Sequence, residues 1–131
     1  MTGGGRVTTG SMQATYGFGF ELHCDAKRNP NNLEVNWGNG SNFHLERLTT
    51  ASCSDNPAIV PNPPAAGFDT YRGTGTGRYK GSSGATAEWT FTDAGEPGTN
   101  DTAKIVIKDA GGNTALSVSG NLTGGDNQAH N

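Results

Sequence analysis

The chain has 131 residues, the size of one domain. Only 31% of positions are hydrophobic and 16% charged, while 21 are glycine, which leaves too little apolar mass for a large α/β enzyme with a broad interior. The net charge of -3 and the pI of about 5.5 argue against a nucleic-acid surface, and no apolar run approaches the roughly 18 residues of a membrane-spanning helix.

Period-two alternation dominates, with no helical period of useful length. Tyr16, Phe18, Phe20, Leu22 and Cys24 share one face of a predicted strand, against Gly17, Gly19, Glu21 and His23 on the other, so Cys24 is expected on the core side. A polar turn at 27–32 leads to Leu33, Val35 and Trp37, which point inward. Gly38-Asn39-Gly40-Ser41 predicts a hairpin whose Asn-Gly supplies positive φ angles. Phe43 and Leu45 then face inward, and Leu48 breaks the parity, which predicts a bulge near Arg47.

Pro57, Pro61, Pro63 and Pro64 remove ladder donors, so 54–67 reads as a long ordered loop whose Ile59 and Val60 plug the end of the core. Tyr71, Gly73, Gly75, Gly77 and Tyr79 form an inner stripe with room for rings from neighbouring strands, such as Trp89 or Phe18. A turn is expected at Gly81-Ser82-Ser83-Gly84. Ala85, Ala87, Trp89 and Phe91 follow on one face, then a loop at 93–101, then Ala103, Ile105 and Ile107. After a turn at 109–113, Leu116, Val118, Gly120 and Leu122 line the last long strand, and 124–131 is polar. Seven to nine closely spaced strands make a single all-β domain over 1–131, an antiparallel β-sandwich or a flattened barrel.

Cys24 and Cys53 are the only cysteines and form no CxxC motif. A bridge between them closes a loop of about 30 residues, a staple that suits a small domain with a thin core and an oxidising compartment. Buried free thiols and a metal or redox pair are the alternatives. The expected location is therefore secreted or on the cell surface. Residues 1–5 show no basic or apolar leader region, so Met1 is expected to follow a removed leader or upstream domains.

Three groups could carry chemistry. Asp93, Glu96, Asn100 and Asp101 offer the oxygen ligands that Ca²⁺ takes, at a spacing unlike an EF-hand; the alternative is a tight loop whose Asp93 accepts backbone N–H groups. Glu21, His23, His44 and Glu46 share the outward parity of two strands and could ligate zinc, or simply form a solvated face. Trp37, Tyr71 and Tyr79 are candidate carbohydrate-stacking rings, although each also has core parity. No cofactor other than Ca²⁺ is indicated. No Gly-x-Ser-x-Gly elbow is present, and most carboxylates fall in turns or on outward faces, which leaves a small hydrolase as a distant alternative. A Lys–Asn cross-link would require Lys80 or Lys104 beside an Asn and a buried Glu88. Thr2–Val7 and Leu122–His130 are placed to pair with each other or with another chain's edge, which would make a self-assembling module.

Several segments together resemble a known family. They are Thr2-Gly3-Gly4-Gly5, Tyr16-Gly17-Phe18-Gly19-Phe20, Phe43-His44-Leu45, Gly73-Thr74-Gly75, the run from Phe91 to Asp101 containing Asp93-Ala94-Gly95-Glu96-Pro97-Gly98, and Gly120-Asn121-Leu122 followed by Gly124-Gly125-Asp126-Asn127-Gln128-Ala129-His130. The chain resembles, nearly end to end, the post-choice-of-anchor-protein domain family of secreted bacterial proteins. Its middle, with both cysteines and the proline loop, looks like a sub-branch. The resemblance implies a secreted or surface-displayed accessory module and supplies no catalytic residues. The expected function is a non-catalytic module for display, assembly or binding of a protein or glycan partner, without nucleic acid and without membrane insertion. A carbohydrate-binding or Ca²⁺-dependent adhesion module is the alternative.

Overall fold

The structure, a computed structural model, describes residues 1–59, 66–95 and 100–130, and at 18 and 19 the backbone only. Eight antiparallel strands form a closed barrel: β1 (Thr2–Thr9), β2 (Met12–Glu21), β3 (Glu34–Trp37), β4 (Ser41–Ser54), β5 (Thr70–Tyr79), β6 (Ser82–Thr92), β7 (Thr102–Lys108) and β8 (Thr114–Gln128). Each strand pairs with the next in sequence, and β8 returns to β1. Of the two expected closures, the chain takes the barrel. Of the two pairings expected for the termini, the chain takes the one with itself: β8 runs through the polar stretch to Gln128, pairing Thr2 with Gln128 and Val7 with Leu122. The first and last strands thus pair with each other, and each is the other's edge partner.

Alternation places the apolar side chains inside. Val7, Tyr16, Val35, Phe43, Tyr71, Phe91, Ile105 and Ile107 are wholly buried in one cluster that also holds Phe20, Trp37 and Trp89. The side chain of Phe18 lies outside the described residues. Tyr16 stacks on Phe91 with centroids 4.6 Å apart, and Phe20 fills the angle between them. Ile59 stays half-exposed, and Phe68 is buried with the core; Val60 lies outside the described residues.

The glycine stripe of β5 is a packing device. A Cβ on Gly73 would lie 2.7 Å from the Trp89 indole, and one on Gly75 2.4 Å from Leu45. On Gly77 it would lie 2.1 Å from the His44 carbonyl oxygen, a backbone atom that cannot turn aside. The bulge expected near Arg47 is present, as a shift between Leu45 and Arg47, and a second lies between Leu48 and Thr50.

Three local expectations need correction. In the β3–β4 hairpin the positive φ angles belong to Gly38 and Gly40, not to Asn39. The β5–β6 turn is Lys80-Gly81, with Tyr79 opposite Ser82, so Ser82 to Gly84 already belong to β6. Cys24 is exposed rather than core-facing, because β2 ends at Glu21 and the chain leaves the wall there. The disulfide exists: Cys24 joins Cys53 of β4 with Cα atoms 5.5 Å apart, and it fastens the 22–33 connection to the barrel rim.

Gly77→Ala should destabilise the fold by about 1–3 kcal/mol, the usual cost of overpacking. Gly17→Ala, whose Cβ would meet nothing closer than 3.9 Å, should change the denaturation midpoint little. Equal midpoints for the two variants would remove the packing account of the stripe. Reduction, or Cys24→Ser, should cost about 3 kcal/mol, read from urea unfolding with and without reductant.

Candidate functional site

The two ends of the barrel differ. One carries four tight turns, at Gly10-Ser11, 38–40, Lys80-Gly81 and 109–113. The other carries the long connections 22–33, 55–69 and 93–101, both chain termini and the disulfide. Strand ladders stop at this second end, and backbone groups there need other partners. The buried polar residues Asp69, Thr70, Asp101 and Asn127 supply many of them.

Asn127 is the centre of this network. Its Nδ2 donates to the carbonyls of Thr92 and Thr102, each at 3.0 Å, where β6 and β7 part. Its Oδ1 accepts the Tyr16 hydroxyl at 2.6 Å, and its backbone N–H donates to Asp101 Oδ2 at 2.8 Å. The other Asp101 oxygen accepts Ala94 N–H at 2.7 Å. Asp93 accepts Gly95 N–H and Ala129 N–H, both at 2.9 Å. Burial pushes the Tyr16 phenol above its ordinary range despite the Asn127 bond.

Asp101 has no exposed surface and stands beside the Asp126 carboxyl. Burial first, then the neighbouring Asp126 and Asp93 carboxyls, push Asp101 up to about 7, against two backbone N–H donors that favour its charge. Asp126 Oδ1 is buried and has no hydrogen-bond partner.

Asp93 and Asp101 are occupied as backbone acceptors, the tight-loop alternative; Asn100 is exposed, and Glu96 lies outside the described residues. Among the described residues no group of three or more His, Cys, Asp or Glu side chains is arranged to hold a metal. The zinc candidates are dispersed. Arg78 donates to Glu46 at 3.0 Å, the backbone of His23 donates to Asn31, and β3 stands between β2 and β4.

The carbohydrate candidates are corrected by burial. Tyr71 is fully buried and donates its hydroxyl to the His23 carbonyl at 2.8 Å; Trp37 is buried and stacks on the half-buried Tyr79. The core consumes these rings because aromatic residues make up only 8% of the chain. Glu88 is exposed, so it cannot serve as the buried acid of a Lys–Asn cross-link.

Sequence reasoning gave Asn127 and Asp126 no role of their own, although both lie in the stretch it placed to pair with Thr2–Val7. The available signal was the paired glycine runs. Gly3 and Gly125 have positive φ, and a Cβ on either would strike the opposite strand's carbonyl oxygen at 2.1–2.2 Å. In comparisons with known proteins, no family model, no curated protein and no solved structure matches the chain.

Because Asp101 binds its proton more tightly folded than unfolded, its contribution to stability is full below pH 3.8. It is lost as pH rises towards about 7. Melting temperature should therefore fall between pH 5 and pH 8. Asp126→Asn, which offers Asp101 a permanent N–H donor, should flatten that fall; an unchanged slope would exclude the carboxyl pair as its source. Asn127→Ala should cost about 3 kcal/mol or more in urea unfolding, since it leaves several buried partners unpaired.

Proposed function

We propose that the chain is a non-catalytic module, secreted or displayed on the cell surface, which extends or presents a host protein and binds an extracellular partner through its outer walls. The observation that carries this reading is the filled interior. The rings of Tyr16, Phe20, Trp37, Phe43, Tyr71, Trp89 and Phe91 occupy the space in which a barrel enzyme or a small-molecule carrier would build its chamber. An open cleft of about 780 Å³ lies on the outside, between the 24–31 loop and β4.

The disulfide supports an oxidising compartment. The walls are apolar inside and polar outside, with Arg72, Glu88 and Lys104 exposed, the reverse of a barrel that faces lipid. The likeness to the post-choice-of-anchor-protein domain family points the same way. Assembly through free strand edges would require opening β1 from β8, so partner binding is assigned to the walls.

The test is made on cells carrying the native protein. A membrane-impermeant amine reagent should label the chain from outside, and thiol alkylation before reduction should leave Cys24 and Cys53 unmodified. The purified chain should turn over none of a panel of ester, peptide and glycan substrates. Protection from the reagent with both thiols alkylated, or turnover abolished by a single carboxylate substitution, would overturn the reading.

A further inference from the structure

The outward faces of β4–β7 are cationic although the chain is acidic. These four strands carry Arg47, Arg72, Arg78, Lys104 and Lys108 against two carboxylates, Glu46 and Glu88. Glu46 is taken by Arg78. Among the described residues the other four cations have no ion pair within 4.0 Å, and all four are exposed.

Strand register arranges them. Ser52, Arg72, Thr90, Lys104 and Ser119 lie side by side in one row across β4–β8. Neighbouring strands are about 4.8 Å apart, so Arg72 and Lys104 flank Thr90 across roughly 10 Å. Glu88 is in the adjacent row, between Thr74 and Val106, diagonal to Arg72, Lys104 and Lys108. Two adjoining grooves, of about 300 and 260 Å³, share Thr74, Glu88 and Val106 and run past these cations.

We infer that this wall binds a linear acidic polysaccharide, a polymer of uronate sugars. The inference rests on the partner-binding reading above and names the partner's chemistry. Unpaired Arg and Lys groups match carboxylates repeated along a chain, and the Ser and Thr hydroxyls between them can donate to and accept from sugar hydroxyls. Adjoining grooves suit an extended polymer better than a compact ligand. A membrane would need apolar side chains, and among the described residues Met12, on the β1–β2 hairpin, is the exposed large hydrophobic residue. Single-stranded nucleic acid would need stacking rings, and the described rings are packed into the core.

Polygalacturonate is the probe, with the oxidised full chain, by affinity electrophoresis at low and physiological salt. Wild type should be retarded, less so at higher salt. Arg72→Gln and Lys104→Gln should each weaken binding by roughly two- to five-fold, and Glu88→Gln should strengthen it by a similar factor. Arg28→Gln, on the 22–33 connection, should leave it unchanged. Equal retardation by a neutral glucan, tighter retention of single-stranded DNA, or a Glu88→Gln effect in the wrong direction would overturn the inference. No retardation, without release of reducing ends from the polymer, would overturn this inference alone. Release of reducing ends would overturn the non-catalytic reading as well.

Discussion

The pairing of β1 with β8 is the constraint on which the structure depends. A meander of eight strands leaves two open edges, and only the return of the last strand to the first removes them. That return joins residues separated by most of the chain, so it carries the largest loop-closure cost of any pairing here. Two features offset it locally. Glycines at Gly3 and Gly125 let the backbones approach where any Cβ would strike a carbonyl, and Asn127 links β8 to the ends of β6 and β7 and to Tyr16. Once the wall is closed, every inward side chain must share one small interior. The glycine stripe of β5 then becomes a spatial necessity opposite Trp89, Leu45 and Phe43.

Hydropathy reads what is packed by apolar contact, and that part of the fold was legible. The inner faces of β5, β6 and β7 follow strict alternation, and the first bulge of β4 shows in the displaced parity of Leu48. The pairing of the two termini was legible, but what the end of the closing strand does inside the wall was not, since its last residues are Gly, Asp, Asn and Gln. A buried amide costs little when each of its atoms has a partner, and partners are set by tertiary neighbours that a single sequence does not reveal. Cys24 failed for a related reason. Alternation predicts sidedness only while the strand lasts, and β2 ends three residues before it. The proposed sugar-stacking rings had core parity from the start, and parity was the better guide.

The two ends of the barrel divide the work. Tight turns need glycine and short side-chain acceptors, as in the 109–113 turn, where Asp109 Oδ1 accepts both Gly111 and Asn113 N–H. The long connections need anchors, and these are the disulfide, the Tyr71 hydroxyl on His23, and Asp69 on the backbone of Asn56. This end therefore concentrates buried carboxyls, and the pH sensitivity of the molecule follows from where its ladders stop.

The same division explains why net charge is a poor guide to the surface. Asp25, Asp69, Asp93, Asp101 and Asp109 each accept at least one backbone N–H in a connection or turn. Much of the acidic excess is thus structural, held close to the main chain where loops require acceptors. Lys and Arg cannot accept hydrogen bonds, so they do not substitute in those positions. Six of the nine, Arg6, Arg47, Arg72, Arg78, Lys104 and Lys108, fall instead on the outward rows of the strands, where alternation demands a polar side chain. An acidic chain built this way presents a basic wall, and the sign that a ligand meets depends on which strands it approaches.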